Sequence, residues 1–187
     1  MGGSVVVETL DPCRMDPEDA LRCARLLVSV WPPKIPSGDP PAPMQDMPPH
    51  AGPPAQAPAR YAIRLPDGEI GAHALVFARE IVTSRGRETV LALAGVCVKE
   101  DCRGLGWGRE VVRKAFARVD AGDFAWALFQ TSKSVFYGKL GCRAIDNPII
   151  NSTASDPSAP VPWDPAVMAY PAAAAPEGAI DLLGPFW

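Results

Sequence analysis

Apolar residues recur along this chain with two different periods, and each change of period marks an element. Val5, Val6 and Val7 form a short apolar run closed by Asp11-Pro12, which predicts a first strand. Asp16-Pro17-Glu18-Asp19 then reads as a helix start: a capping carboxylate, a proline in the first turn, and acids near the positive helix end. Leu21, Ala24, Leu27, Val28 and Trp31 keep helical spacing until Pro32-Pro33 stops it. From Pro32 to Pro58 eleven prolines occur without a periodic pattern, which excludes a helix or an inner strand there. Segment 32–58 is therefore either a functional loop or a disordered insertion. His50 lies within it, has no ligand-type neighbour, and reads as a solvated loop histidine.

The period then shortens. Tyr61 to Leu65 predicts a short strand, Pro66-Asp67-Gly68-Glu69 a turn, and Ile70 to Thr83 a long strand. Ser84-Arg85-Gly86-Arg87 turns the chain, and Glu88 to Val98 returns antiparallel, ending in the branched, apolar run Leu91–Val98. After a glycine-bearing loop a helix follows. Val111, Val112, Ala115, Phe116 and Val119 make its apolar face, Arg109, Arg113, Lys114 and Arg118 lie elsewhere, and Gly122 ends it. Phe124 to Phe129 is a buried strand, which should pair in parallel with the run before the helix. Thr131 or Ser132 caps a second helix that ends at Gly141. Asn147 to Pro165 reads as loop, and Val167–Tyr170 and Ile180–Leu183 as late strands. The fold class is α/β (α+β): a mixed, mostly antiparallel sheet of about six to seven strands with flanking helices.

The loop between strand and helix carries the clearest chemistry. Arg103-Gly104-Leu105-Gly106-Trp107-Gly108 places glycine at every second position, so main-chain amides stand bare beside a helix N-terminus. That arrangement suits a phosphate or pyrophosphate. It is not a P-loop, because Gly108-Arg109-Glu110 stands where Gly-Lys-Ser/Thr is needed. It is not the dinucleotide fingerprint either, because the third glycine position holds Arg109. Arg-x-x-Gly-x-Gly, as Arg103, Gly106 and Gly108 after a Val-x-Val strand end, resembles the acetyl-coenzyme A loop of the GNAT (Gcn5-related) N-acetyltransferases. Further on, Val135-Phe136-Tyr137-Gly138-Lys139-Leu140-Gly141 resembles that family's Phe-Tyr-x-Lys-Leu-Gly-Phe segment, with Cys142 at the usual aromatic position.

Composition bounds the reading without sharpening it. At 187 residues, 48% apolar and 21% charged, the chain suits one domain, 1–187, with the proline-rich loop at 32–58 inside it. A net charge of −3 gives no basic footprint for nucleic acid. No apolar run is long enough for a membrane span, and no signal peptide is evident at the N-terminus. Cys13, Cys23, Cys97, Cys102 and Cys142 lack paired spacing, so they read as reduced thiols in a cytoplasmic protein, with no metal site.

The resemblance implies acetyl-coenzyme A as co-substrate, a small-molecule amine as partner, and a homodimer as an open option. The donor would be held by Arg103, Gly104, Leu105, Gly106, Trp107, Gly108 and Arg109. Val96, Cys97 and Val98 would pair with its pantetheine arm, and a strand-end amide, assigned to Val98, would serve as oxyanion donor. Tyr137 is the candidate general acid, since a neutral phenol can protonate a leaving thiolate at neutral pH. Many family members carry a glutamate two residues before the Val-x-Val strand end; here Ala94 stands there, and the general base is unassigned. Cys97 has no evident histidine partner as a nucleophile, and His73 reads either as a base acting through water or as a hydrogen-bonded core residue.

Ala72-His73-Ala74, Arg79, Arg85-Gly86 and Arg103-Gly104 loosely resemble the aminoglycoside 2′-N-acetyltransferase branch, which ends in an aromatic residue beside its active site. The tail Asp181–Trp187 is apolar apart from Asp181, so it should pack down. Trp187, through its α-carboxylate, Asp181 and His73 are thus the candidate acceptor-side residues, while a tail that merely finishes a sheet edge is the alternative for Trp187. Two functions compete: an N-acetyltransferase for a primary amine, including an aminoglycoside-like one, and a catalytically inactive acyl-coenzyme A-binding sensor or interaction module.

Overall fold

The computed structural model describes residues 5–32, 47–156, 161–162 and 164–187. Most of the proline-rich segment, residues 33–46, lies outside them. In the remainder, a single 3-10 turn at Pro54–Gln56 interrupts extended chain, and His50 is half-buried with Nε2 3.0 Å from the Pro53 carbonyl. The chain divides into two compact units. Residues 1–76 and 95–115 form the first; residues 77–94 and 116–187 form the second.

In the first unit β1 (Glu8–Leu10) pairs antiparallel with β2 (Ala59–Arg64), which pairs antiparallel with β3 (Ile70–Thr83). β1 sits three residues later than the valine run predicts. Its register is Glu8↔Ala62 through Leu10↔Arg60, and Val5–Val7 precede the ladder. The Arg64 guanidinium bonds the carboxylates of Glu8 and Asp19, which fixes that pairing against the helix α1 (Pro17–Val30).

α1 begins as its sequence requires: Asp16 Oδ1 accepts from the Glu18 amide at 2.9 Å and the Asp19 amide at 3.4 Å. Its buried stripe is Ala20, Cys23, Ala24 and Leu26, while Val28 and Trp31 stay exposed. The buried face is therefore turned from the predicted one. Small residues let the helix lie close, and Cys23 and Leu26 pack with Ala62, Ile70 and Cys97.

β3 and β4 (Gly86–Val98) run through both units, joined by a tight turn in which Gly86 adopts φ +101°. In the second unit β4 pairs in parallel with β5 (Ala127–Thr131), as the intervening helix predicts. β5 pairs antiparallel with β8 (Ala166–Tyr170), and β8 with β6 (Arg143–Ala144). β7 (Ile149–Ile150) pairs in parallel with β9 (Ile180–Asp181), whose Asp181 stands opposite Val82 of β3. The unit's core contains Ile81, Val90, Trp126, Leu128, Ile180, Leu182 and Phe186. The architecture is a mixed, mostly antiparallel sheet with few helices. Three of its nine described strands, β6, β7 and β9, are only two residues long.

α2 (Trp107–Asp120) buries Val111, Val112, Ala115, Phe116 and Val119, the face its spacing predicts. Gly122 at φ +84° ends it, with the Gly122 amide on the Val119 carbonyl and the Asp123 amide on the Arg118 carbonyl. α3 (Ser134–Gly138) is shorter than predicted. Lys133 holds the cap position without a side-chain bond, and Thr131 Oγ1 accepts from the Lys133 amide just before it. Among the described residues no helix is long and apolar enough to cross a membrane.

Candidate functional site

The donor-loop residues lie together in the first unit. After β4 the chain makes one 3-10 turn, Glu100–Cys102, and then passes Gly104 at φ +82° and Gly106 at φ +85° into α2. Both glycines are required by conformation rather than by crowding: a Cβ on either would meet nothing within 4 Å. The open space beside them is the room a ligand would fill. The first α2 amide to bond back is that of Glu110, on the Gly106 carbonyl at 3.2 Å. The amides of Trp107, Gly108 and Arg109 precede it and face out of the helix end. Arg103, Leu105 and Arg109 are exposed, and neither arginine has an ion pair among the described residues. Bare amides, a positive helix end and two unpaired guanidiniums fit a pyrophosphate group.

The loop is anchored by a contact the sequence does not advertise. The Trp107 ring lies against Gly71 of β3 so closely that a Cβ there would sit 2.5 Å from Cζ3. The Lys99 amide also bonds the Gly71 carbonyl at 2.8 Å. Only the glycine at the head of a long strand could have signalled such an approach.

β4 changes character as it nears the loop. Its ladder with β5 consists of Leu91↔Ala127 and Ala92↔Leu128 among the described residues. From Ala94 to Val98 it is half-buried except at Cys97, although Val90 to Leu93 are fully enclosed. Gly95 turns to φ +57°, an interruption that a strand accommodates as a bulge. Val96, Cys97 and Val98 thus follow a kink and lead directly into the loop. Burial pushes the Cys97 thiol up to about 12, which removes it as a nucleophile at neutral pH.

His73 lies beneath that kink and is fully enclosed. Its Nδ1 is 2.8 Å from the Gly95 carbonyl and its Nε2 3.0 Å from Arg60 Nη1. Arg60 is only 2% exposed, and its Nε has no partner among the described residues. With both ring nitrogens engaged, His73 presents no surface to an acceptor amine.

The remaining candidates belong to the second unit. Tyr137, on α3, is 6% exposed, with its ring centroid 4.6 Å from that of Phe129 and 4.9 Å from that of Phe136. Asp181 Oδ1 accepts from the Ser152 and Leu183 amides, each at 3.0 Å, so its carboxylate is engaged in shaping the chain around β9. The stretch 182–187 packs down, as its composition predicts: Leu182 and Phe186 are buried. Arg79 Nη2 donates to the Leu182 carbonyl at 3.0 Å, and its guanidinium lies 5.6 Å from the Trp187 ring centroid. Trp187 also meets Phe77 edge-on at 5.9 Å, and its main-chain oxygen accepts from Gln130 Nε2 at 3.2 Å. Its Nε1 is enclosed without a partner among the described residues. Asp181 and Trp187 share a stretch of chain but not a set of partners.

No protein-family model matches this sequence, and no curated protein matches it. Solved structures match it by fold. An acetyltransferase of the GNAT family from Staphylococcus aureus Mu50 superposes with a TM-score of 0.55 at 11% identity, covering 88% of this chain and 98% of that one. Escherichia coli ElaA gives 0.54 at 13% identity, covering 89% and 99%. An acyl-CoA N-acyltransferase from Pseudomonas aeruginosa gives 0.52 at 13%, covering 89% and 97%. The chain therefore has the fold of GNAT-family acetyltransferases.

Proposed function

We propose that this protein is an acetyl-coenzyme A-dependent N-acetyltransferase acting on a primary amine of a small molecule, with an aminoglycoside-like amine among the acceptors. One observation carries the reading: a kinked strand delivers the chain into a loop of two left-handed glycines and outward-facing helix amides. The amides of residues 104–109 and the Arg103 side chain hold the pyrophosphate, with Arg109 adding charge. Val96, Cys97 and Val98 align the pantetheine arm, and a main-chain amide of this strand end donates to the carbonyl oxygen as negative charge develops on it. The bound donor supplies an activated acetyl thioester. Tyr137 gives its phenolic proton to the departing thiolate. Trp187 and Asp181 belong to the acceptor side.

The test is Gly106→Asp. Aspartate tolerates a left-handed φ better than most residues, and the space there is open, so the variant should fold. Its carboxylate would repel the pyrophosphate, and calorimetry should find coenzyme A binding abolished. Unchanged affinity in the folded variant removes the assignment. Arg103→Ala should weaken binding by about 1–3 kcal/mol, the range for a charge-assisted hydrogen bond. Tyr137→Phe should lower kcat by ~10²-fold with donor affinity kept.

Ala94, together with the enclosed His73, keeps a second reading open: a binding module that takes acyl-coenzyme A without turnover. Thiol release over a panel of amines separates the two. Donor binding with no release on any amine supports the module.

A further inference from the structure

The contacts of His73 fix a proton and, through it, a peptide. A guanidinium only donates and a carbonyl only accepts. Arg60 Nη1 at 3.0 Å therefore makes Nε2 the acceptor, and the Gly95 carbonyl at 2.8 Å makes Nδ1–H the donor. The ring is neutral and of one tautomer. The charge beside it is 2% exposed, and burial holds the imidazole down to about 4, so neither contact is exchanged for water.

The Gly95 carbonyl is thus turned toward the enclosed His73 ring. A trans peptide is planar, and its C=O and N–H point in opposite directions. Pinning the Gly95 carbonyl therefore directs the Val96 N–H away from that ring, on a stretch beyond Ala92, the last β4 residue paired with β5 among the described residues. Without the bond, Gly95, which has no Cβ and adopts either sign of φ readily, could flip this peptide at little steric cost.

We infer that His73 is a positioning residue: it never touches substrate, but by holding the Gly95 carbonyl it aims the Val96 N–H at the thioester carbonyl, making that amide, in place of the Val98 amide that the resemblance implies, the oxyanion donor. Arg60 acts one step further back, by holding the tautomer. The inference rests on the acetyl-coenzyme A reading above.

The experiment is an isotope-edited infrared spectrum of [1-13C]acetyl-coenzyme A bound to the full chain, with coenzyme A affinity measured alongside. In the wild type the carbonyl band should lie below its position in free solution. His73→Leu removes the donor and should return the band to the free value. Its acetyl-coenzyme A affinity should fall about tenfold while coenzyme A affinity stays, since one neutral hydrogen bond is at stake. His73→Asn places an amide N–H where Nδ1–H stood and should keep the lowered band, a rescue that mere loss of packing would not show. An unshifted wild-type band, or a lowered band that persists in His73→Leu, overturns the inference and leaves the acetyltransferase reading standing. If His73→Leu does not fold, wild-type NMR decides. The Val96 amide proton should move downfield with acetyl-coenzyme A and not with coenzyme A, and no such movement overturns the inference. A wild type that binds neither ligand removes the acetyltransferase reading, and this inference with it.

Discussion

Burial pushes the His73 imidazole down to about 4; the Gly95 carbonyl pulls it up, and the Arg60 charge adds to the lowering. In the unfolded chain the same ring titrates near ~6.5. Between those values the unfolded state binds a proton that the folded state refuses, so stability rises with pH across that window and is lost as pH falls through it. From pH 7.5 to 5 the loss from this group should be about 2 kcal/mol, read as a drop in urea midpoint. His73→Asn should lose that slope whatever its absolute stability. Asp19, held low by its bond to Arg64, contributes only at more acid pH and does not confuse the window. Both readings of His73 were visible in the sequence, but the choice between them was not. Its partners, Arg60 and a carbonyl of residue 95, stand 13 and 22 residues away, and no local pattern links them. The loop glycines Gly104 and Gly106 were legible because their conformation is local: positive φ follows from residue type and spacing alone.

Elements were legible wherever a boundary has its own chemistry. Asp16-Pro17 starts α1, Gly122 ends α2, and β3 runs from Ile70 to Thr83 as the pattern predicts. Where a boundary is set by a partner, no local residue marks it. β1 is fixed by its ladder to β2 rather than by Val5–Val7, and β6 and β7 are too short to show a period. The contact between Trp107 and Gly71 belongs to this scale, because it joins the first residue of α2 to β3. Gly71→Ala would place a methyl carbon where an aromatic ring already lies, and a ring has less freedom to give than a flexible chain end. Overpacking of this kind costs about 1–3 kcal/mol. A lower melting temperature and weaker coenzyme A binding should appear together. Weaker stability with unchanged affinity would separate the loop from its anchor.

At the scale of the whole chain, removing residues 182–187 takes two buried side chains, Leu182 and Phe186, out of the second unit's core. At about 1.5–3 kcal/mol for each, the loss is a large share of the ~5–15 kcal/mol that holds a domain together. The truncated chain should show a sharply lowered urea midpoint. The sequence foresaw a packed tail but not the Arg79 bonds that clasp it, because they are made to main-chain carbonyls and any apolar tail could have accepted them.

The distribution of thiols turns the molecule into its own stopwatch. Only Cys13 is partly exposed; Cys23, Cys97 and Cys102 are buried in the first unit and Cys142 in the second. An alkylating reagent should mark one cysteine on the native chain at once, and the other four only as often as the chain opens. Mass spectrometry would time each separately. Because β3 and β4 each contribute residues to both units, the four enclosed thiols should be marked at one common rate. A Cys142 that reacts on its own schedule would show that the second unit breathes independently of the first.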